Sequence, residues 1–197
     1  MTKEEFRDIL DKDFFNETNE IATYATHLHD TVCNQKYDDK PYSAHLFRVE
    51  MMVRDYGYLV CENKEDALVM FFAAHFHDAI EDARQTYNDI LKIARKYLPS
   101  EAALLATEIV YALTDEKGRT RQERASDKHF EGIRDTKYAP FIKWCDRFAN
   151  LEYSIEHESR MAAITPIIGL TITLAPITPS WIKAMFDIIN EINAPLK

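Results

Sequence analysis

Glycine is scarce in this sequence, with four residues in 197, and most of its seven prolines lie in the second half. A chain so poor in turn-forming residues does not read as a sheet protein built from many hairpins. Strand-like alternation is absent up to residue 160. Cysteine is sparse as well. Cys33, Cys61 and Cys145 are odd in number, far apart and form no CxxC pair. That argues against a disulfide framework or a zinc knuckle and fits reduced thiols in a cytoplasmic protein. Positive charge is the minority: 24 Lys and Arg against 33 Asp and Glu leave a net charge of −9. A broad basic face for duplex nucleic acid is therefore not expected. The N-terminal MTKEEFRDIL is charged and lacks the apolar stretch of a signal peptide.

The composition that remains suits one globular domain over residues 1–197, with no internal repeat or interdomain linker. Apolar residues at helical spacing predict helices near 3–14, 17–35, 42–56, 65–82, 86–97, 100–113 and 136–157. Asp38-Asp39-Lys40-Pro41 reads as a turn, with Pro41 placed to open the next helix. The expected class is all-α.

Two stretches break the pattern. Thr114 to Tyr138 is polar and contains Gly118 and Gly132. It reads either as a solvated loop with a weak helix or as a loop that brings Arg119, Arg121 and Arg124 to an anionic ligand. Met161 to Ile182 carries no charge but holds three prolines and four threonines. Its length would permit a membrane span, yet Pro166, Pro176 and Pro179 would break a lone helix in lipid. No positive cluster flanks it. A buried hairpin or a homodimer contact is expected instead, followed by an amphipathic helix near 179–193.

The chemistry-bearing run is Ala74-His75-Phe76-His77-Asp78-Ala79-Ile80-Glu81-Asp82. On a helix, His77, Asp78, Glu81 and Asp82 would fall within an arc of about 140°. Four ionisable groups would then crowd one face of a segment whose preceding residues, Leu68 to Ala73, are apolar. Burying such groups unpartnered is costly. A metal ion resolves the cost, because it neutralises carboxylates and accepts imidazole nitrogen. A solvated polar face is the other reading. Adjacent His and Asp cannot complete a coordination sphere, so further ligands must come from elsewhere.

His45, in Pro41-Tyr42-Ser43-Ala44-His45, and Asp146, in Phe141-Ile142-Lys143-Trp144-Cys145-Asp146, are candidates. Taken singly, His45 reads as a core histidine and Asp146 as a surface carboxylate. Around Asp146, however, Lys143, Asp146, Asn150 and Tyr153 share an arc of about 80°. A cation, a carboxylate, an amide and a phenol on one stripe suit a ligand-binding wall, or else an exposed polar face.

Together these residues resemble the HD superfamily, whose H…HD…D ligand pattern falls on His45, His77-Asp78 and Asp146. The sequence looks most like the hydrolase half of the RelA/SpoT enzymes and their small alarmone hydrolase relatives. The resemblance covers about residues 25–153. It rests on PYSAH ending in His45, HDAIED at 77–82, LTDEKG at 113–118 and IKWCDRFANL at 142–151. It implies an HD-domain helical bundle, Mn²⁺ as the ion, and hydrolytic removal of pyrophosphate from the 3′ position of guanosine tetra- or pentaphosphate. Glu81 and Asp82 would orient and deprotonate the attacking water. Lys143 would offset phosphate charge, and Asn150 would contact the nucleotide. Where those hydrolases carry Arg-Lys-Ser around the base, this chain has Lys36, Tyr37 and Asp38. Lys36 suits a phosphate, and Tyr37 suits stacking on a base. Asp38 departs from guanine selectivity. The alternatives are HD-type phosphatases of another nucleotide, either a deoxynucleoside monophosphate or a phosphorylated dinucleotide. A non-catalytic metal- or nucleotide-binding protein is a further alternative.

Overall fold

A computed structural model of the chain describes residues 1–115 and 127–156. The expectations for Arg119, Arg121 and Arg124, for the apolar stretch 161–182 and its dimer contact, and for a helix near 179–193 lie outside the described residues. Within them the molecule is all-α: eight α-helices and one minimal hairpin.

Helix α1 (Lys3–Asp8) starts at a capping box. Thr2 Oγ1 accepts the Glu5 N–H at 3.1 Å, while the Glu5 carboxylate accepts the Thr2 N–H at 2.7 Å. Helix α2 (Phe15–Thr26) follows, and both helices run on into π-helical turns, Ile9–Asp13 and His27–Val32. Strands β1 (Lys36–Tyr37) and β2 (Lys40–Pro41) then pair antiparallel, with Lys36 opposite Pro41 and Tyr37 opposite Lys40. Asp38 turns the corner at a φ of 58°, a conformation that Asp tolerates better than most residues. Pro41 therefore belongs to β2. It does not open the next helix, because α3 spans Ser43–Tyr56.

Helix α4 (Lys64–Phe76) is the centre of the domain. Asn63 caps it, its side-chain oxygen accepting the Asp66 N–H at 2.9 Å. Ten successive residues from Ala67 to Phe76 are buried. A helix apolar on all sides can only be a core helix here, and α2, α3 and α6 (Ser100–Leu113) surround it. Helix α5 (Tyr87–Ala94) packs on α6. Helix α7 (Asp127–Asp135) lies against α6 and α8 (Ala139–Glu156), and α8 runs along α3 and touches α4. Helix α7 gives a definite helix to part of the stretch expected to be mostly loop, buried through His129 and Ile133.

The helix predicted over 65–82 ends at Phe76, and residues 77–82 continue as turns. The ring of His77 donates from Nδ1 to the Ala74 carbonyl at 2.9 Å, taking the acceptor that the next helical turn would use. Ala79 N–H then closes back on Phe76 O at 2.9 Å, one residue short of the α-helical spacing. The HDAIED segment is thus gathered by tight turns, and the helical arc drawn for it does not apply. Among the described residues no helix is long and apolar enough to cross a membrane.

Candidate metal centre

Three elements converge at the mouth of α4. Helix α3 brings His45 in its first turn, the turn after α4 brings His77 and Asp78, and the middle of α8 brings Asp146. His45, His77 and Asp146 are buried, and one donor atom from each lies within 4.8 Å of the others. His45 Nε2 is 3.2 Å from His77 Nε2 and 3.4 Å from Asp146 Oδ1. His77 Nε2 is 3.9 Å from the same Asp146 oxygen. Asp78 Oδ2 completes the group, 2.8 Å from His77 Nε2 and 3.7 Å from His45 Nε2. For metal–ligand bonds of roughly 2.1 Å, neighbouring ligands sit about 3.0 to 3.4 Å apart, so the spacing suits one ion.

Tautomer chemistry points the same way. Because His77 Nδ1–H is donated to Ala74 O, the neutral ring leaves Nε2 as a bare lone pair. That lone pair faces two carboxylate oxygens, which are electron-rich, and His45 Nε2, whose role as donor or acceptor depends on its own tautomer. Such a cluster is satisfied by a second proton or by a cation. Burial pushes the His77 imidazolium down in pKa, but Asp78 and Asp146 outweigh it and hold the ring up at about 9. Burial likewise opposes ionisation of the two carboxylates. Asp78 is nevertheless held low by His77, and Asp146 by His45, Lys143 and Arg147. The residues fit a divalent ion of borderline softness.

A cavity of about 320 Å³ opens beside this cluster. Its walls include Glu81, Asp82, Lys143 and Asn150, together with Tyr37, His45, Asp78 and Asp146. Asp146 turns its two oxygens to different tasks. Oδ1 faces the imidazoles and also accepts from Asn150 Nδ2 at 2.6 Å, while Oδ2 is 3.7 Å from Lys143 Nζ. Glu81 accepts the Asp115 N–H at 3.3 Å. Burial and the neighbouring Asp115 carboxylate push its pKa up.

No family model, curated protein or solved structure matches the chain. Nine of the eleven sequence-predicted site residues are brought together: His45, His77, Asp78, Asp146, Glu81, Asp82, Lys143, Asn150 and Tyr37. Lys36 is exposed on β1 outside the cavity wall, and Tyr153 sits behind the wall. Tyr37 and Tyr153 are also engaged within the protein. The Tyr37 ring stacks on His45 at 4.8 Å, and its hydroxyl donates to Asn150 Oδ1 at 2.5 Å. The Tyr153 hydroxyl donates to Asp38 at 3.0 Å, and Lys40 and Arg48 lie over its ring. Burial and Asp146 push the Tyr37 phenol up to about 12.

Four residues near the site were not singled out from sequence: Tyr42, Asp115, Arg147 and His129. Arg147 follows Asp146 and lies beside Lys143 on the helical wheel, so widening the α8 stripe by one position would have found it. Tyr42 stands inside the PYSAH motif. Asp115 stands inside the LTDEKG stretch at 113–118 but carries no periodic signal, because it follows the end of α6. His129 pairs with Asp115 at 3.6 Å from a helix the sequence barely announces.

Proposed function

We propose that the chain is a metal-dependent phosphohydrolase of the HD type acting on a nucleotide, with removal of 3′-pyrophosphate from guanosine tetraphosphate as the first candidate reaction. The observation that carries this reading is the convergence of His45, His77 and Asp146 on one buried point beside Glu81 and Asp82. The ion, Mn²⁺ in the first instance, would be held by these three residues and Asp78. It supplies Lewis acidity at the phosphoryl group and makes water acidic enough to react near neutral pH. Asp82 and Glu81 orient that water and accept its proton. Lys143 and Arg147 offset charge on the phosphoryl oxygens. The water oxygen bonds to phosphorus, the bond from phosphorus to the ribose 3′ oxygen breaks, and that oxygen leaves as a hydroxyl with a proton. The three cysteines are free thiols, which suits a cytoplasmic setting.

One observation favours a second substrate within the same chemistry. Tyr37 and Asp38, which hold the offsets used for the base in the alarmone hydrolases, are bonded to Asn150 and Tyr153. A base entering there must displace contacts already made, so another phosphorylated nucleotide is the runner-up. Both readings are tested by incubating the protein with Mn²⁺ and a panel of nucleotides while measuring pyrophosphate and phosphate separately. Pyrophosphate release from guanosine tetraphosphate supports the first, and phosphate release from another nucleotide supports the second. Inertness toward the whole panel, with the ion bound, sinks the hydrolase reading and leaves a binding protein.

A further inference from the structure

Tyr42 lies immediately before α3 and is 7% exposed. Its ring is fixed from behind by a parallel stack on His29, 4.8 Å between centroids and 9° between planes. His29 is itself buried and bonds through Nδ1 to Gln35 Oε1 at 2.7 Å. The backbone beside it is anchored too, with Ser43 N–H donating to Asp30 Oδ1 at 3.0 Å. The phenol therefore arrives at the site with little freedom left. There its oxygen lies 2.5 Å from Asp78 Oδ2 and 3.0 Å from Asp82 Oδ2. An ionised carboxylate only accepts, and a phenol has one hydrogen. One donor thus stands between two carboxylates that would otherwise repel, and the Asp78 oxygen it meets is the one that faces the imidazoles.

We propose that Tyr42 is the positioning residue of this centre, its hydroxyl holding Asp78 turned toward the ion and Asp82 turned toward the reacting water. The rate role rests on the phosphohydrolase reading, and the metal-affinity role stands without it. Groups that orient metal ligands from behind commonly change affinity or rate by about 10- to 100-fold when lost.

The test is Tyr42→Phe in the full chain, which keeps the ring and its stack on His29 and deletes the hydroxyl alone. Calorimetric titration with Mn²⁺ alone should show affinity weakened by about tenfold or more. For whichever nucleotide the wild-type chain cleaves, kcat should fall by about tenfold or more while KM stays within about threefold. At saturating Mn²⁺ in an Asp82→Asn background the same substitution should cost less further rate than in the wild type, because the share passing through Asp82 is already lost, while the weakening of Mn²⁺ affinity through Asp78 should remain. The melting temperature of the metal-free variant should stay within a few degrees of wild type. Unchanged Mn²⁺ affinity together with unchanged kcat overturns the proposal. So does a metal-free variant that no longer folds, which makes Tyr42 structural. If the wild type cleaves no nucleotide, the functional reading fails, and the Mn²⁺ titration alone then decides for or against Tyr42.

Discussion

Asp78 and Asp146 are both buried acids, yet they would contribute differently to an ion. Asp146 is held from the outside by Lys143, Arg147 and Asn150, so it keeps partners when the ion leaves. Asp78 meets only His77, His45 and Tyr42 among the contacts described. Asp78→Ala should therefore abolish binding of the ion, read as loss of about one transition-metal equivalent by elemental analysis of purified protein. Stoichiometric metal in that variant would remove Asp78 from the ligand set. Glu81 differs again: it sits in the cavity wall, with the Asp115 amide as its bonded neighbour. On the proposed mechanism, Glu81→Gln should keep metal affinity and lose about two orders of magnitude in kcat, the size of lost proton-transfer help. A near-normal rate would rule out that role.

At the scale of elements, the apolar run of α4 was legible because an uninterrupted hydrophobic stretch can only go inside. The end of α4 was not, because periodicity cannot register a side chain such as His77 taking the Ala74 carbonyl. The hairpin at 36–41 was equally hidden, since two-residue strands leave no alternation to detect. His45 and Asp146 were legible only as members of a pattern: each is unremarkable alone, and 101 positions separate them. The α3–α4 contact carries a testable pH dependence. Glu50 on α3 accepts from His75 Nε2 at 3.0 Å and from Arg54 Nε at 2.6 Å. Burial opposes its ionisation, but these two partners win and hold its pKa below the ordinary 4.5. A depressed carboxylate contributes stability that is full above its unfolded pKa and lost as pH falls through its folded one. Glu50→Gln should therefore be clearly destabilised near pH 7, and the gap from wild type should shrink below about pH 4, as read by urea unfolding across pH. A gap independent of pH would mean that shape, not charge, is what Glu50 supplies. Within α4, Phe72 is fully buried and stacks on Phe76 at 4.4 Å. Phe72→Ala should cost about 3–5 kcal/mol in the same assay, and a loss under about 1 kcal/mol would show the α4 environment to be loose.

For the whole molecule, the decisive fact is that the candidate ligands come from α3, the turn after α4, and α8. In the unfolded chain these residues are scattered along a hundred positions, so an ion has little to bind there. In the folded chain they share one buried point. An ion that binds only the folded form stabilises it by RT ln(1 + [L]/Kd), about 2.7 kcal/mol at a hundredfold excess over Kd. For a chain of this length each kcal/mol moves the melting temperature by roughly 2–4 °C. Mn²⁺ at that excess should therefore raise the melting temperature of the full chain by about 5–10 °C, and a chelator should return it to the starting value. The apolar core is built apart from these ligands: the buried run of α4 from Ala67 to Phe76 packs against α2, α3 and α6. Metal-free protein should accordingly still unfold cooperatively, only at lower temperature. His45→Ala deletes one ligand from α3 while leaving the α4 core intact, so it should erase the response to Mn²⁺ and leave a cooperative transition. A wild-type melting temperature indifferent to saturating Mn²⁺, or a His45→Ala variant that still responds in full, would show that the three elements meet for packing alone.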